Sequence, residues 1–366
     1  MESNRIAQLA LHFVPNIGNF LIKQLISYCG SAEGVFKASK SKLLKVPGIG
    51  EVAANTILNQ RPVERAENEL KKAEKQGVRI LFHSDQDYPT RLKQINDAPS
   101  LLYVKGSGSL ESHKTVAIVG TRKATDYGKS FTSDIVKALK NHDALIVSGL
   151  AYGIDIQAHK AALKNGLSTI GVMAGGINKI YPAAHKNVAQ EMQDGGAILT
   201  EQAIDVIPDA PKFPARNRII AGLCDVTIVV EAAVKGGALI TANIANDYNR
   251  DVFAVPGDIN REYSEGCNNL IKQNKAHLLT NIHDIEYIMN WDSAEKEPKQ
   301  SVLNLELFNN EERLVLEILK SENDGVHIDK LSWASQISVN SLASILLALE
   351  FQGYIKSLPG KKYKIS

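Results

Sequence analysis

Three cysteines in 366 residues, Cys29, Cys224 and Cys267, are too few and too far apart for a disulfide framework, and none stands in a Cys-x-x-Cys or Cys/His grouping that would hold zinc. No apolar run approaches the roughly 18 residues of a membrane span, so no membrane partner is expected. An excess of one charge is missing too. Lys and Arg total 42 against 40 Asp and Glu, a net charge of +2, which excludes a protein that coats duplex DNA through bulk basicity. Repeats and low-complexity tracts are absent. The first residues, MESNRIAQLALHF, carry an acidic residue at position 2 and too short an apolar run for a signal peptide, so a cytoplasmic location is expected. What is present is a globular composition, 44% hydrophobic and 22% charged, over a length that suits two or three folded units.

Three regions differ in pattern. Residues 1–70 read as helices with two turn signals, Val14-Pro15-Asn16-Ile17-Gly18 and Val46-Pro47-Gly48-Ile49-Gly50, and the second matches a helix-hairpin-helix signature preceded by Lys37, Lys40, Lys42 and Lys45. Residues 71–290 alternate short β-rich runs with Gly-rich turns and amphipathic helices, the pattern of an α/β, Rossmann-like parallel sheet. The runs are Thr115–Val119, Ala144–Ser148, Thr169–Met173, Ala197–Thr200, Val226–Val230 and Asp251–Val255. Residues 291–301 (WDSAEKEPKQS) read as a polar linker, and 302–366 as three short helices and a hairpin, a winged helix.

In an open α/β sheet, ligands gather outside the carboxyl ends of the strands, where helix N-termini and bare N–H groups attract anions. The first such turn is Gly120-Thr121-Arg122-Lys123, which has one Gly of GxGxxG and an arginine where a dinucleotide would need bare backbone. That disfavours NAD, and no cofactor is expected. A guanidinium fork there suits a discrete phosphate. The second turn, Ser148-Gly149-Leu150-Ala151-Tyr152-Gly153, offers a hydroxyl and glycines before a helix that begins near Asp155. Asp155 and His159 are spaced i, i+4, and read as an acid/base pair, as half a metal site for which the sequence offers no third ligand, or, more plainly, as a helix-start carboxylate and a packing histidine. The third turn brings Lys179, Ile180 and Tyr181 to the rim. Cations interleaved with stackable side chains match single-stranded nucleic acid, which offers both phosphates and unstacked bases. Arg216-Asn217-Arg218 opens a further helix, where i, i+2 neighbours point apart, so one arginine faces the ligand and the other braces the loop. Lys235-Gly236-Gly237 forms another glycine turn. Residues 71–290 hold 25 basic and 23 acidic residues, so placement rather than total charge marks this rim.

The runs AIVGTRKAT-YG, VSGLAYGID-AH, YP, FP-RNRIIAGL, ALITA, RDVFAVPG and GCNNLI, in order from about Tyr88-Pro89 to Leu279, resemble the DNA-processing protein A (DprA, or Smf) family. The resemblance implies an extended Rossmann domain that binds single-stranded DNA, dimerises, and helps load a RecA-type recombinase during natural transformation, without enzymatic activity of its own. It places DNA contacts at Arg122 and at Lys179 and Ile180, extends them to Gly120, Thr121, Ser148, Gly149, Gly153, Arg216, Asn217, Arg218, Lys235, Gly236 and Gly237, and puts the homodimer interface around Leu270, Ile271 and Leu278. One departure is Gly236-Gly237-Ala238, where the family often has Ser-Gly-Ser/Thr, leaving backbone N–H groups and Lys235 to act there.

Two other classes are open to the sequence. A nucleotide-handling hydrolase of the LOG-like phosphoribohydrolase type carries GGxGTxxE, but here Leu239-Ile240 replaces Gly-Thr and Asn243 replaces the glutamate that the chemistry needs. A winged-helix transcription regulator needs a basic recognition helix, and Asn340–Glu350 contains no cation.

Overall fold

The computed structural model describes residues 2–291, 308–320, 325–352, 354–358 and 360–365. The chain divides into two compact units, Met1–Ser293 and Ala294–Ser366. No single helix among the described residues is long and apolar enough to cross a membrane.

The larger unit is built on nine strands: β1 (Arg79–Phe82), β2 (Leu101–Lys105), β3 (Thr115–Val119), β4 (Leu145–Ser148), β5 (Thr169–Val172), β6 (Ala197–Thr200), β7 (Val226–Val229), β8 (Asp251–Ala254) and β9 (His277–Leu278). Their order is β1-β2-β6-β5-β4-β3-β7-β8-β9. Strands β3 to β9 pair in parallel, while β2 runs antiparallel to β6 and β1 to β2. The six expected runs are the strands β3 to β8. The antiparallel extension β1–β2 and the short edge strand β9 add to them.

Alternation along β3 explains the layering. Val116 and Ile118 pack with the helices Asp126–Leu139 and Ile154–Asn165, whereas Ala117 and Val119 pack with Lys212–Leu223 and Gly237–Asp247. Each fully buried Ile or Val contributes roughly 1.5–3 kcal/mol.

Residues 1–70 do not stand apart. Their helices share one core with the sheet, in which Leu9, Leu25 and Ile57 pack in the same cluster as Phe82, Tyr103 and Ile198, so the expected separate helical domain is part of the larger unit. Its two turns use the same backbone device: Gly48 at φ +82 has a counterpart in Asn16 at φ +62, and Asn is among the few non-glycine residues that tolerate that region.

Trp291, expected to open the linker, is buried against His142 and Lys114 of the larger unit, and 292–301 lie outside the described residues. Among its described residues the smaller unit has the helices Asn310–Lys320, Ile328–Ser335 and Val339–Phe351, and three strands, β10 (Val326–His327), β11 (Ile355–Leu358) and β12 (Lys362–Ile365), in the order β10-β12-β11. Leu342, Leu346 and Leu349 fix its third helix to a small core.

Candidate functional site

The strand order reverses at β3, with β4, β5 and β6 on one side and β7 and β8 on the other. Such a switch point splays the loops that follow the strands and leaves a crevice. Here the crevice has a volume of about 790 Å³, and its lining includes Gly120, Thr121, Arg122, Asn217, Gly236 and Gly237. Arg122, Lys123 and Lys235 bring exposed cations to it.

The Arg122 turn is held from both sides. Thr121 N–H donates to Glu231 O at 2.7 Å, and Thr121 O accepts from Ile154 N–H at 3.2 Å. Gly153 makes the second contact possible, because at φ +79 a Cβ there would lie 2.1 Å from Thr121 O. Beyond the turn, the Arg122 guanidinium sits 5.5 Å from the centre of the Phe213 ring, and Phe213 meets Tyr181 edge-on at 5.8 Å. Tyr181 is 55% exposed, and Tyr152 stands nearby over the edge of His185. A second small cavity joins Arg122, Tyr152, Tyr181 and Phe213.

The loop after β4 is strained and heavily supported. Leu150 is buried at φ +56, a conformation that costs a non-glycine residue about 1–2 kcal/mol. Asp155 accepts from the N–H groups of Gly149 at 3.1 Å and Ala151 at 3.4 Å, His185 Nδ1 donates to Leu150 O at 2.8 Å, and Arg216 Nη1 donates to Gly149 O at 2.6 Å and to Val172 O. Burial pushes the Asp155 carboxyl up, with Arg216 opposing. Burial lowers Arg216 to about 10; Asp155 works to raise it and the nearby Arg122 to lower it.

These contacts correct several expectations. Ser148 is fully buried and donates to Ile118 O at 2.6 Å, so its hydroxyl is not turned to a ligand. Gly149 has both backbone groups engaged by Asp155 and Arg216. Arg216 reaches the base of the crevice but is only 6% exposed, and serves as a support. Arg218 lies outside the crevice, its guanidinium bound to Asp97 O and Glu201. Asn217 lines the crevice between the two. Lys179 is exposed and Ile180 packs against the core. Their loop follows β5, which β4 separates from β3. That loop and the Arg122 turn nonetheless meet, through Tyr181. Asp155 and His159 form no acid/base pair: His159 turns to Thr169 Oγ1 at 2.7 Å. Leu270 is in the core, Ile271 packs against it, and Leu278 is 47% exposed on the edge strand β9. Phe213 and Lys123 were not singled out in the sequence, although Phe213 stands three residues before Arg216.

The sequence profile of the family described as DNA recombination-mediator protein A matches residues 79–290, the whole of the sheet and its rim. The chain belongs to this family. The DprA winged helix domain matches 296–361 and a helix-hairpin-helix motif 31–59. Among the chain's relatives, Protein Smf of Escherichia coli is 35% identical over 82% of this chain and 80% of its own length, and DNA processing protein DprA of Streptococcus pneumoniae is 43% identical over 55% and 71%. The solved structure of the Streptococcus pneumoniae protein superposes with a TM-score of 0.68 at 33% identity, covering 78% of this chain and 98% of that one. DNA processing protein A of Helicobacter pylori, whose structure concerns its single-stranded DNA binding mode, gives 0.53 at 33% identity over 59% and 96%.

Proposed function

We propose that the chain is a single-stranded-DNA-binding recombination mediator, not an enzyme, that protects incoming strands and helps load a RecA-type recombinase in natural transformation. The observation that carries this reading is the Arg122–Phe213–Tyr181 group, which sets a cation for phosphate beside the half-buried Phe213 ring and the exposed Tyr181 ring, on which an unstacked base can lie, at one mouth of the crevice. The single-stranded DNA binding described for the Helicobacter pylori relative supports it.

Fluorescence anisotropy with single- and double-stranded oligonucleotides across a salt series tests the reading. Single strands are expected to bind more tightly. Arg122→Ala and Lys179→Ala are each expected to weaken binding and flatten its salt dependence by roughly 0.7 in log–log slope, the value of one phosphate contact on a single strand. Parent-like affinity and slope in both variants would place the site elsewhere.

The same reading includes a homodimer that links two crevices and so raises apparent affinity. Leu278, exposed on the edge strand, is the interface candidate that is accessible for it. Sedimentation at micromolar concentration is expected to show a dimer, and monomers alone would remove the idea.

The winged helix is proposed as a protein-contact or regulatory module. Residues 302–366 carry seven basic and eight acidic residues, and the exposed side of its third helix presents Ala343, Leu347 and Phe351 rather than cations. A chain ending after Trp291 is expected to keep most of its single-strand affinity. Loss of nearly all affinity in a truncated protein that remains folded by circular dichroism would overturn this assignment.

A further inference from the structure

The helix Val63–Lys75 lies outside the crevice, yet two of its side chains reach the loops that form it. Glu69 Oε1 accepts from Ile204 N–H at 2.7 Å, and Lys72 Nζ pairs with the Asp205 carboxylate. Asp205 is shared, because its other oxygen accepts from Asn178 Nδ2 at 2.8 Å. The segment after β6 is then laced to the loop after β5: Gly176 N–H donates to Val206 O at 2.8 Å and Asn178 N–H to Ile204 O at 3.1 Å. The two backbones are so close that a Cβ at Gly176 would lie 2.1 Å from Ala203 O. Below them Ile177 and Ile204 are buried in the same core as Ala66 and Ala73 of the helix. One end of this assembly carries Lys179 and Tyr181, and the other continues into Pro208, Asp209 and Ala210 of the crevice wall.

We infer that Glu69 and Lys72 are positioning residues for the DNA-binding rim: the helix Val63–Lys75 sets the loops 175–181 and 201–210 in the arrangement that receives a single strand. The inference rests on the DNA-binding reading above. Its physical basis is that neither loop has regular structure across its length, so its shape is set by the groups it is tied to. Lys72 and Asp205 are each more than one-third exposed, and such a pair adds little to global stability. Loss of the Lys72 tether therefore loosens the rim without unfolding the unit, and loss of Glu69 leaves one backbone N–H, that of Ile204, without its acceptor, at the cost of a single unmade hydrogen bond.

The test uses the full chain and the variants Glu69→Ala, Glu69→Gln, Lys72→Ala and Arg122→Ala. Amide hydrogen exchange without DNA is expected to quicken at Gly176, Asn178 and Ile204 in Glu69→Ala and Lys72→Ala, and to stay near the parent in Glu69→Gln, whose amide oxygen still accepts from Ile204 N–H. Single-strand affinity is expected to fall roughly three- to tenfold in the two alanine variants with the salt slope unchanged, since no phosphate contact is lost. Unchanged exchange in both alanine variants would overturn the inference whatever happens to DNA binding. A slope reduced by about 0.7 in Lys72→Ala would also overturn it, by making Lys72 a phosphate ligand. If Arg122→Ala binds like the parent while the exchange result holds, the DNA-binding reading fails and the tether stands as a structural feature of those loops.

Discussion

Arg216→Ala is expected to lower the stability of the larger unit by about 2–6 kcal/mol, because two buried carbonyl oxygens lose their donor at about 1–3 kcal/mol each. The side chain meets three demands at once. It compensates the buried Asp155 carboxylate, and it donates to the carbonyl oxygens of Gly149 and Val172 at the ends of β4 and β5. A cavity the size of a guanidinium would open beneath a loop already strained at Leu150. Asp155 in the variant loses the group that opposes the effect of burial, so its carboxyl is pushed further up. A carboxyl raised in the folded state is a destabilising charge above its folded value, and acid relieves the loss as pH falls through that value. Urea unfolding at two pH values measures both effects. The double variant Asp155→Asn/Arg216→Met is expected to lose less than the two single changes together, because no uncompensated charge remains. A single variant within about 1 kcal/mol of the parent would show that Arg216 is not the support described.

The strength of this expectation comes from a distinction invisible in sequence. The spacing of Arg216 and Arg218 says that they diverge, but only the packing shows that Arg216 points under the β4 loop and Arg218 toward Glu201 and Asp97, leaving Asn217 on the crevice. Ser148 misled for a similar reason. Its direction at the strand end depends on register with β3, where it finds Ile118 O. The parallel strands were legible because buried strands read as continuous β-branched runs bounded by Gly turns, as in Thr115–Val119 and Val226–Val229. By contrast β1, RILF, follows a helix with no alternation of its own, and β9 has two residues. Arg122 was legible because it directly follows a strand and a glycine. Phe213 was not, because an aromatic at a helix start is usually core, and its partners Arg122 and Tyr181 come from loops 91 and 32 residues away in the chain.

The same buried layer under the rim carries an acid sensitivity of the second-largest expected size. His159 is fully buried, and burial together with the nearby Arg216 and His185 lowers it from 6.5 to about 3. Its tautomer follows from its neighbours. Thr169 Oγ1 donates to Ile146 O, so it accepts from His159 Nδ1–H, and the bare Nε2 has no hydrogen-bond partner. Protonation would place a second N–H, with no acceptor, in an apolar interior beside a guanidinium. The folded chain therefore refuses a proton that the unfolded chain takes up near pH 6.5, and the stability due to neutral His159 is present above that pH and lost as pH falls toward 3. By pH 4 the loss amounts to about 3 kcal/mol. Asp155, shifted the opposite way, works against this by binding a proton more readily when folded. His159→Leu removes the first contribution and keeps the second. The unfolding free energy of the parent minus that of the variant, measured from pH 8 to pH 4, is expected to fall by about that amount on acidification, whatever other carboxylates do to both curves. Parallel curves would mean that His159 is protonated in the native fold, and with it that the helix Ile154–Asn165, whose first turn holds the rim loop, tolerates a charge in its core.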